Sequence, residues 1–193
     1  YMEKISANVH EKEVVDLDYS IKKNIYNLSD YLNKKPEDLT ACIMDRPRHN
    51  SIIKELNNLK VKIKLITDGD VSGALLVTDK KYNVDIFLGI GGGPEGVLAA
   101  SALDAYECAF QGRFLFVTDE DKIRAKKMGI KNLKKKYELN EIVSGDSIFC
   151  ATGITSGDLL NGIVIKDKNF ISETLVTHKS SKLKKIIKME EKI

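Results

Sequence analysis

The chain has 193 residues, of which 42% are hydrophobic and 31% charged, and a formal net charge of +3. That is the composition of a soluble globular chain, and the length suits one sizeable domain. So small a charge excess makes no electrostatic case for a nucleic-acid or membrane partner, and no apolar run has the length of a membrane span or the pattern of a signal peptide.

Cys42, Cys108 and Cys150 stand in separate apolar contexts without a Cys-x-x-Cys pair. They read as core thiols of a reducing compartment, neither a disulfide frame nor a zinc site. A cytoplasmic setting is the expectation.

In chain order, residues 1–15 read as polar and irregular. Asp16 or Ser20 then caps a helix through Ile21, Ile25, Leu28 and Leu32, whose spacing is helical, and Pro36 closes it. Residues 40–44 read as a short apolar strand followed at once by Arg46-Pro47-Arg48-His49. Helical spacing returns at Ile52, Ile53, Leu56 and Leu59. A strand over 61–67, with alternating lysines, ends in Asp68-Gly69-Asp70, and 71–77 forms a short helix or loop.

Residues 84–88 read as a buried strand running into Gly89-Ile90-Gly91-Gly92-Gly93-Pro94-Glu95-Gly96, and 97–110 as a helix rich in alanine and leucine. Further strands are expected over 114–118 and 147–151, separated by a basic segment over 122–139 that Gly129 interrupts. Segments 163–165 and 170–177 read as a closing hairpin around Asp167-Lys168-Asn169, and the last residues as a basic tail.

Strands alternating with helices imply an α/β sheet covered on both faces, and the terminal hairpin makes it mixed. In such sheets ligands collect beyond the carboxyl ends of the strands. Four polar clusters follow strands directly: Arg46 with Arg48, Asp68 with Asp70, Gly91 to Glu95, and Thr152 to Asp158. Their common placement points to a shared site.

The glycine turn is the richest of the four. Glycines let a backbone approach closely because no Cβ intervenes, and the free N–H groups of a helix start favour an anion. Glu95 complicates a plain phosphate cradle. A carboxylate about 4 Å from a bound phosphate is repelled by roughly 1 kcal/mol in water and about 4 at an effective dielectric near 20. A divalent cation between them reverses that sign, since both groups supply hard oxygen ligands. The turn alone leaves two readings open: a meeting place of phosphate and metal, or an exposed Glu supporting the helix dipole.

Arg46 and Arg48, two residues apart on a stiffened turn, suit a phosphate that accepts forked hydrogen bonds; His49 reads as a capping or packing residue. Asp68 and Asp70 suit sugar hydroxyls or a cation, or equally an Asp-Gly turn capping the next helix. Thr152 to Asp158 reads as a turn held by its own side chains that borders the site. The basic stretches 122–136 and 179–188 lack interleaved aromatics and read as solvated faces.

A rival layout is present. Gly91, Gly93 and Gly96 match G-x-G-x-x-G between strand and helix, with Asp119 about 20 residues on, as in dinucleotide-binding units. Pro94-Glu95 opposes it by placing a carboxylate where a pyrophosphate would lie. A P-loop is excluded because no Gly-Lys-Ser/Thr follows the glycines.

Taken together, these landmarks resemble the bacterial class II fructose-1,6-bisphosphatase family. They run in the family's order: Tyr1-Met2, Arg46-Pro47-Arg48-His49, Asp68-Gly69-Asp70, Gly89 to Gly96, Gln111-Gly112-Arg113, Ala151 to Thr155, Gly157-Asp158 and Glu173-Thr174-Leu175. The resemblance covers essentially the whole chain and corresponds to the C-terminal part of the family's longer sequence. It implies a layered α/β/α sugar-phosphatase fold with a mixed sheet, related to inositol monophosphatase. It also implies catalysis with Mn²⁺ or Mg²⁺ and removal of the 1-phosphate from fructose 1,6-bisphosphate in gluconeogenesis, by a homo-oligomer, dimer or tetramer.

By that similarity Glu95 is a metal ligand and catalytic, and Gly92 touches substrate through its backbone. Arg46, Pro47 and Arg48 line a substrate phosphate, Asp68, Gly69 and Asp70 contact the sugar, and Tyr1 matches a substrate-contacting tyrosine. Arg46 replaces the Lys of many relatives, and Gly93 the Ala. The family's other metal ligands come from an N-terminal portion that precedes these residues. The expectation is therefore a connecting segment and helix over 1–38, leading from that portion, and a C-terminal substrate-binding domain over 39–193. This half would be inactive until completed.

Overall fold

The computed structural model describes residues 1–192. Six strands form a mixed sheet: β1 (Met2–Ala7), β2 (Thr40–Met44), β3 (Lys62–Ile66), β4 (Ile86–Gly91), β5 (Ala109–Phe114) and β6 (Lys136–Glu138). Their order is β3-β2-β4-β1-β5-β6. β2 is parallel to β3 and β4, whereas β1 runs antiparallel to both its neighbours, Met2 standing opposite Gly91 and Phe114. The carboxyl ends of β2 to β5 and the amino end of β1 therefore meet along one edge.

Alternation along these strands builds a core on each face. Ala41, Ile86 and Leu88 pack with Ile25, Leu28 and Leu56 of helices α1 (Ile21–Leu32) and α2 (Asn50–Asn58). Cys42 and Phe87 face the other way, toward Leu75, Ala99 and Leu103 of α3 (Asp70–Leu75) and α4 (Gly93–Asp104). Ser20 is the N-cap of α1, its hydroxyl accepting from the Lys23 N–H at 3.1 Å. The expected α/β/α layering is thus present.

A second sheet lies outside α4. It contains β7 (Ile148–Thr152), β9 (Asn169–His178) and β10 (Leu183–Lys192) in the order β10-β9-β7, with β8 (Val164–Lys166) paired to β9. Phe149 and Leu175 carry this sheet onto the α3–α4 core. The remaining helices are α5 (Asp119–Lys127) and α6 (Leu139–Ile142). Among the described residues no helix is long and apolar enough to cross a membrane.

Four expectations need correction. Residues 2–7 are not irregular but form β1, whose two faces are both covered, so its charged residues gave no solvent-facing alternation. The central helix stops at Asp104 rather than 110, and the strand after it is 109–114 rather than 114–118. The chain reverses there with Glu107 at φ 57°, a position where glycine or asparagine is the usual marker. The basic segment over 122–139 is interrupted at Gly129 as expected, helix α5 ending just before it at Lys127. The basic tail is strand β10, paired along its whole length with β9. Residues on both sides of position 38 share one sheet, since β1 lies between β4 and β5.

Candidate functional site

Arg46 follows β2 and is held by two backbone carbonyls. Its Nη1 donates to Asp45 O at 2.9 Å and its Nη2 to Thr67 O at 2.6 Å, tying the ends of β2 and β3. Arg48 donates from Nε to Ile90 O at 2.6 Å, and its guanidinium lies 5.4 Å from the Tyr1 ring centroid. Its two terminal nitrogens have no partner among the described residues. Pro47 starts a single 3-10 turn and is exposed.

His49 packs beneath them, fully buried, as the packing role expected of it requires. Its Nδ1 lies 2.7 Å from Met44 O, and Nε2 accepts from the Ile90 N–H at 2.8 Å. Those partners fix a neutral ring with the proton on Nδ1. Burial pulls its pKa below 6.5, against a contrary pull from the Met44 carbonyl, and Arg48 lowers it further.

Asp68 is exposed and accepts from the Gly69 N–H at 2.8 Å. Gly69 has φ 91°, the left-handed region where a side chain is strained. Asp70 opens α3 and is only 9% exposed. It is ion-paired to Lys4, and its other oxygen, Oδ1, is buried without a hydrogen-bond partner. An orphaned buried acceptor of that kind carries a penalty of about 1–3 kcal/mol.

The glycine turn is packed from inside by protein at Gly91, Gly93 and Gly96. A Cβ on Gly91 would meet the Asp70 carboxylate and lie 3.1 Å from Lys4 Nζ. One on Gly96 would strike Met2 Sδ, and one on Gly93 would come within 2.9 Å of the Phe114 ring. Gly92 is the N-cap of α4, and its carbonyl accepts from Lys4 Nζ at 3.0 Å and from the Gly96 N–H at 3.3 Å. Glu95, exposed in the first turn of α4, folds its carboxylate back against the Cα of Gly92.

Lys4 is the residue that the sequence did not single out. It is 2% exposed, and burial pulls its pKa from 10.5 down to about 8, with Glu95 opposing the fall and Arg48 adding to it. The signal available was Met2-Glu3-Lys4-Ile5, a lysine within an apolar-flanked run, which local reading assigns to solvent.

Tyr1, Arg46, Arg48, Asp68, Gly69, Asp70, Gly92 and Glu95 thus gather along one sheet edge, Arg48 and Tyr1 in contact and Asp70 and Gly92 joined through Lys4. Thr152 to Asp158 lies across a cavity of about 680 Å³ that Asp68 and Gly69 also line. That loop is held by its neighbours: Thr152 and Thr174 hydroxyls are 2.8 Å apart, and Asp158 pairs with Lys64 at 2.9 Å.

Asp119 does not complete a dinucleotide site. It lies beyond the end of β5, as the first residue of α5, and pairs with Lys122 at 2.8 Å. The residues present also do not by themselves make a seat for a divalent cation. Among the described residues no three His, Cys, Asp or Glu side chains gather as a ligand set, whereas such ions take about six oxygens. Glu95 offers one carboxylate, and the Asp70 carboxylate is engaged by Lys4.

Two arginines, a carboxylate pair and a glycine turn thus stand together at the strand ends of one α/β sheet. The family model for bacterial fructose-1,6-bisphosphatase, glpX-encoded, matches residues 1–191, and the chain belongs to that family. A Synechococcus sp. (strain JA-3-3Ab) D-fructose 1,6-bisphosphatase class 2/sedoheptulose 1,7-bisphosphatase is 35% identical over 94% of this chain and 56% of its own length. A Haemophilus influenzae fructose-1,6-bisphosphatase class 2 is 36% identical over 96% of this chain and 60% of its own length. The chain therefore spans little more than half the length of these relatives.

Proposed function

We propose that this chain supplies the substrate-binding half of a phosphoric monoester hydrolase that removes the 1-phosphate of fructose 1,6-bisphosphate, giving fructose 6-phosphate. The observation that carries the reading is the convergence of Tyr1, Arg46, Arg48, Asp68, Asp70 and Glu95 on one sheet edge, in a chain of this family.

Arg46 and Arg48 orient the distal phosphate, both already braced on backbone carbonyls, so less side-chain freedom is lost on binding. Tyr1, stacked near Arg48, closes that side. Asp68 is the carboxylate open to a sugar hydroxyl, whereas Asp70 meets the ligand only if the turn above it shifts. With its carbonyl engaged, Gly92 has its N–H to offer. Glu95 serves as one ligand of a divalent cation, Mn²⁺ or Mg²⁺, whose other ligands come from outside this face. The names of the relatives support a sugar bisphosphate as substrate, and extend to the seven-carbon bisphosphate. The working setting we propose is a cytoplasmic homo-oligomer in gluconeogenesis, with no nucleic-acid or membrane partner.

The test is phosphate release from fructose 1,6-bisphosphate by the full-length protein, with Mn²⁺ and with chelator, beside Glu95→Gln. Activity that needs metal and falls at least 100-fold in the variant is expected, on the order of removing one group that acts in the transition state. Metal-dependent activity indifferent to Glu95 removes its role as a ligand. Binding without turnover replaces the hydrolase reading with a sugar-phosphate-binding module.

A further inference from the structure

Strand β1 brings Lys4 under the glycine turn from the opposite chain direction. Its neighbours across the sheet are Gly89 on β4 and Gly112 on β5. Gly91 and Gly96 leave the space through which the long side chain passes: a Cβ at residue 91 would lie 3.1 Å from Lys4 Nζ, and one at residue 96 would lie 3.4 Å from Lys4 Cδ. At the end of that passage the ammonium meets two groups only, the Asp70 carboxylate and the Gly92 carbonyl. One belongs to the first residue of α3, the other to the N-cap of α4.

From this geometry we infer that Lys4 is a positioning residue of the site, anchored on the Asp70 carboxylate and fixing the Gly92 turn, so that the Gly92 N–H and the Glu95 carboxylate meet the ligand in a preset arrangement. The inference rests on the substrate-binding reading above. Three observations carry it. Among the described residues the ammonium is the one side chain hydrogen-bonded to both Asp70 and the Gly92 carbonyl, and Asp70 Oδ1 has no partner of its own. It is almost wholly withdrawn from water, so its donors are directed at these acceptors rather than shared with solvent. Gly92, which it holds by the carbonyl, is the residue against which Glu95 folds, so a shift at Gly92 displaces Glu95 as well.

A purely structural lysine predicts something different from a positioning one, and a neutral pair separates them when compared with Asp70→Asn alone, which reports what that carboxylate itself contributes to binding. In the full-length protein, Lys4→Met leaves Asp70 charged and unpaired, whereas Lys4→Met with Asp70→Asn removes both charges at nearly constant volume. Melting temperature, kcat, KM for fructose 1,6-bisphosphate and amide exchange at residues 91–96 would be measured for each. The expectation is that Lys4→Met melts lower, while the double variant recovers most of the melting temperature. It does not recover KM, which stays at least tenfold above that of Asp70→Asn alone, with kcat changed less, and exchange at 91–96 stays at least tenfold faster than in Asp70→Asn. A double variant with restored melting temperature, whose KM and exchange match those of Asp70→Asn alone, overturns the inference and makes Lys4 a structural residue. Absence of turnover in the unmodified protein fails the functional reading alone, because the exchange measurement still decides whether Lys4 sets the turn.

Discussion

Glu3 and Lys4 are consecutive on β1 and point to opposite faces, and each belongs to a charge cluster of a different kind. Glu3 pairs with Arg113 at 2.5 Å; Arg113 also reaches Asp18, and Lys136 joins Asp18 at 2.8 Å to Asp16 at 2.6 Å. Gln111 completes this network by donating to Asp16 at 3.2 Å and Glu138 at 2.9 Å. The network is partly wet, and Arg113, Lys136, Asp16 and Asp18 each have more than one partner. Lys4 has one carboxylate, little water, and a carboxylate oxygen left over. Redundant, solvated pairing tolerates loss of a member; a single buried pair does not.

The largest effect expected from this contrast is therefore at Lys4. Lys4→Met, which strands a buried carboxylate, should lower unfolding free energy by about 3–5 kcal/mol in denaturant titration, and the added Asp70→Asn should return most of it. An equal loss from both variants would mean that packing, not charge, is what Lys4 contributes.

Arg113→Gln should lower stability by only about 1 kcal/mol or less, and the loss should shrink in high salt. The acid limb sharpens the point. Asp18 sits below its ordinary 3.8, chiefly through its hydrogen bonds from Lys136 and Arg113. A carboxylate depressed on folding lends stability that is present above its unfolded pKa and is lost as pH falls through the folded one. Stability of the unmodified protein should thus fall on acidification below about pH 4, and Arg113→Gln should flatten that fall. A limb equally steep in both would deny the network its pH dependence.

The smallest effect is a labelling pattern. Cys42 and Cys108 are buried and Cys150 exposed, and burial pushes the first two thiols up to about 12 from 9. One thiol in the native protein should react with a disulfide reagent near pH 8, and three after denaturation. Cys42 should label faster in Lys4→Met and no faster in Arg113→Gln, since it packs on the face of the sheet that Lys4 occupies. In the folded state these thiols hold protons that the unfolded chain releases from pH 9 upward, so stability should decline between pH 9 and 12.

The parts of the site that lie just after β2, β3 and β4 were legible because each joins an apolar run to a dense polar cluster. The partners of those clusters were not. Lys4 lies in a strand whose pairing is wholly with distant segments, so neither periodicity nor local propensity marks it. Nor does any sequence rule distinguish a glycine that admits a ligand from one that admits a lysine; at Gly91 and Gly96 the occupants are Lys4, Asp70 and Met2. Gln111 and Arg113, quoted as family landmarks, belong to the charged network on β1 and β5 rather than to the edge that gathers the arginines. Strand β10 was hidden by its lysines, which suit an exposed strand as well as an unstructured tail.

The insertion of β1 between β4 and β5 also has a consequence for the order in which the molecule assembles. Every partner of the first strand lies in the second half of the strand sequence β1 to β6, so closing the sheet requires the longest loops in the chain. β2, β3 and β4 can associate through short helical crossovers before β1 docks. Until that late step, Asp70 and the turn at Gly92 stay hydrated and uncommitted. On the cost of loop closure alone, the arginine-lined rim is expected to form before the floor beneath it, and ligand competence would then mark completed folding rather than the first compact state.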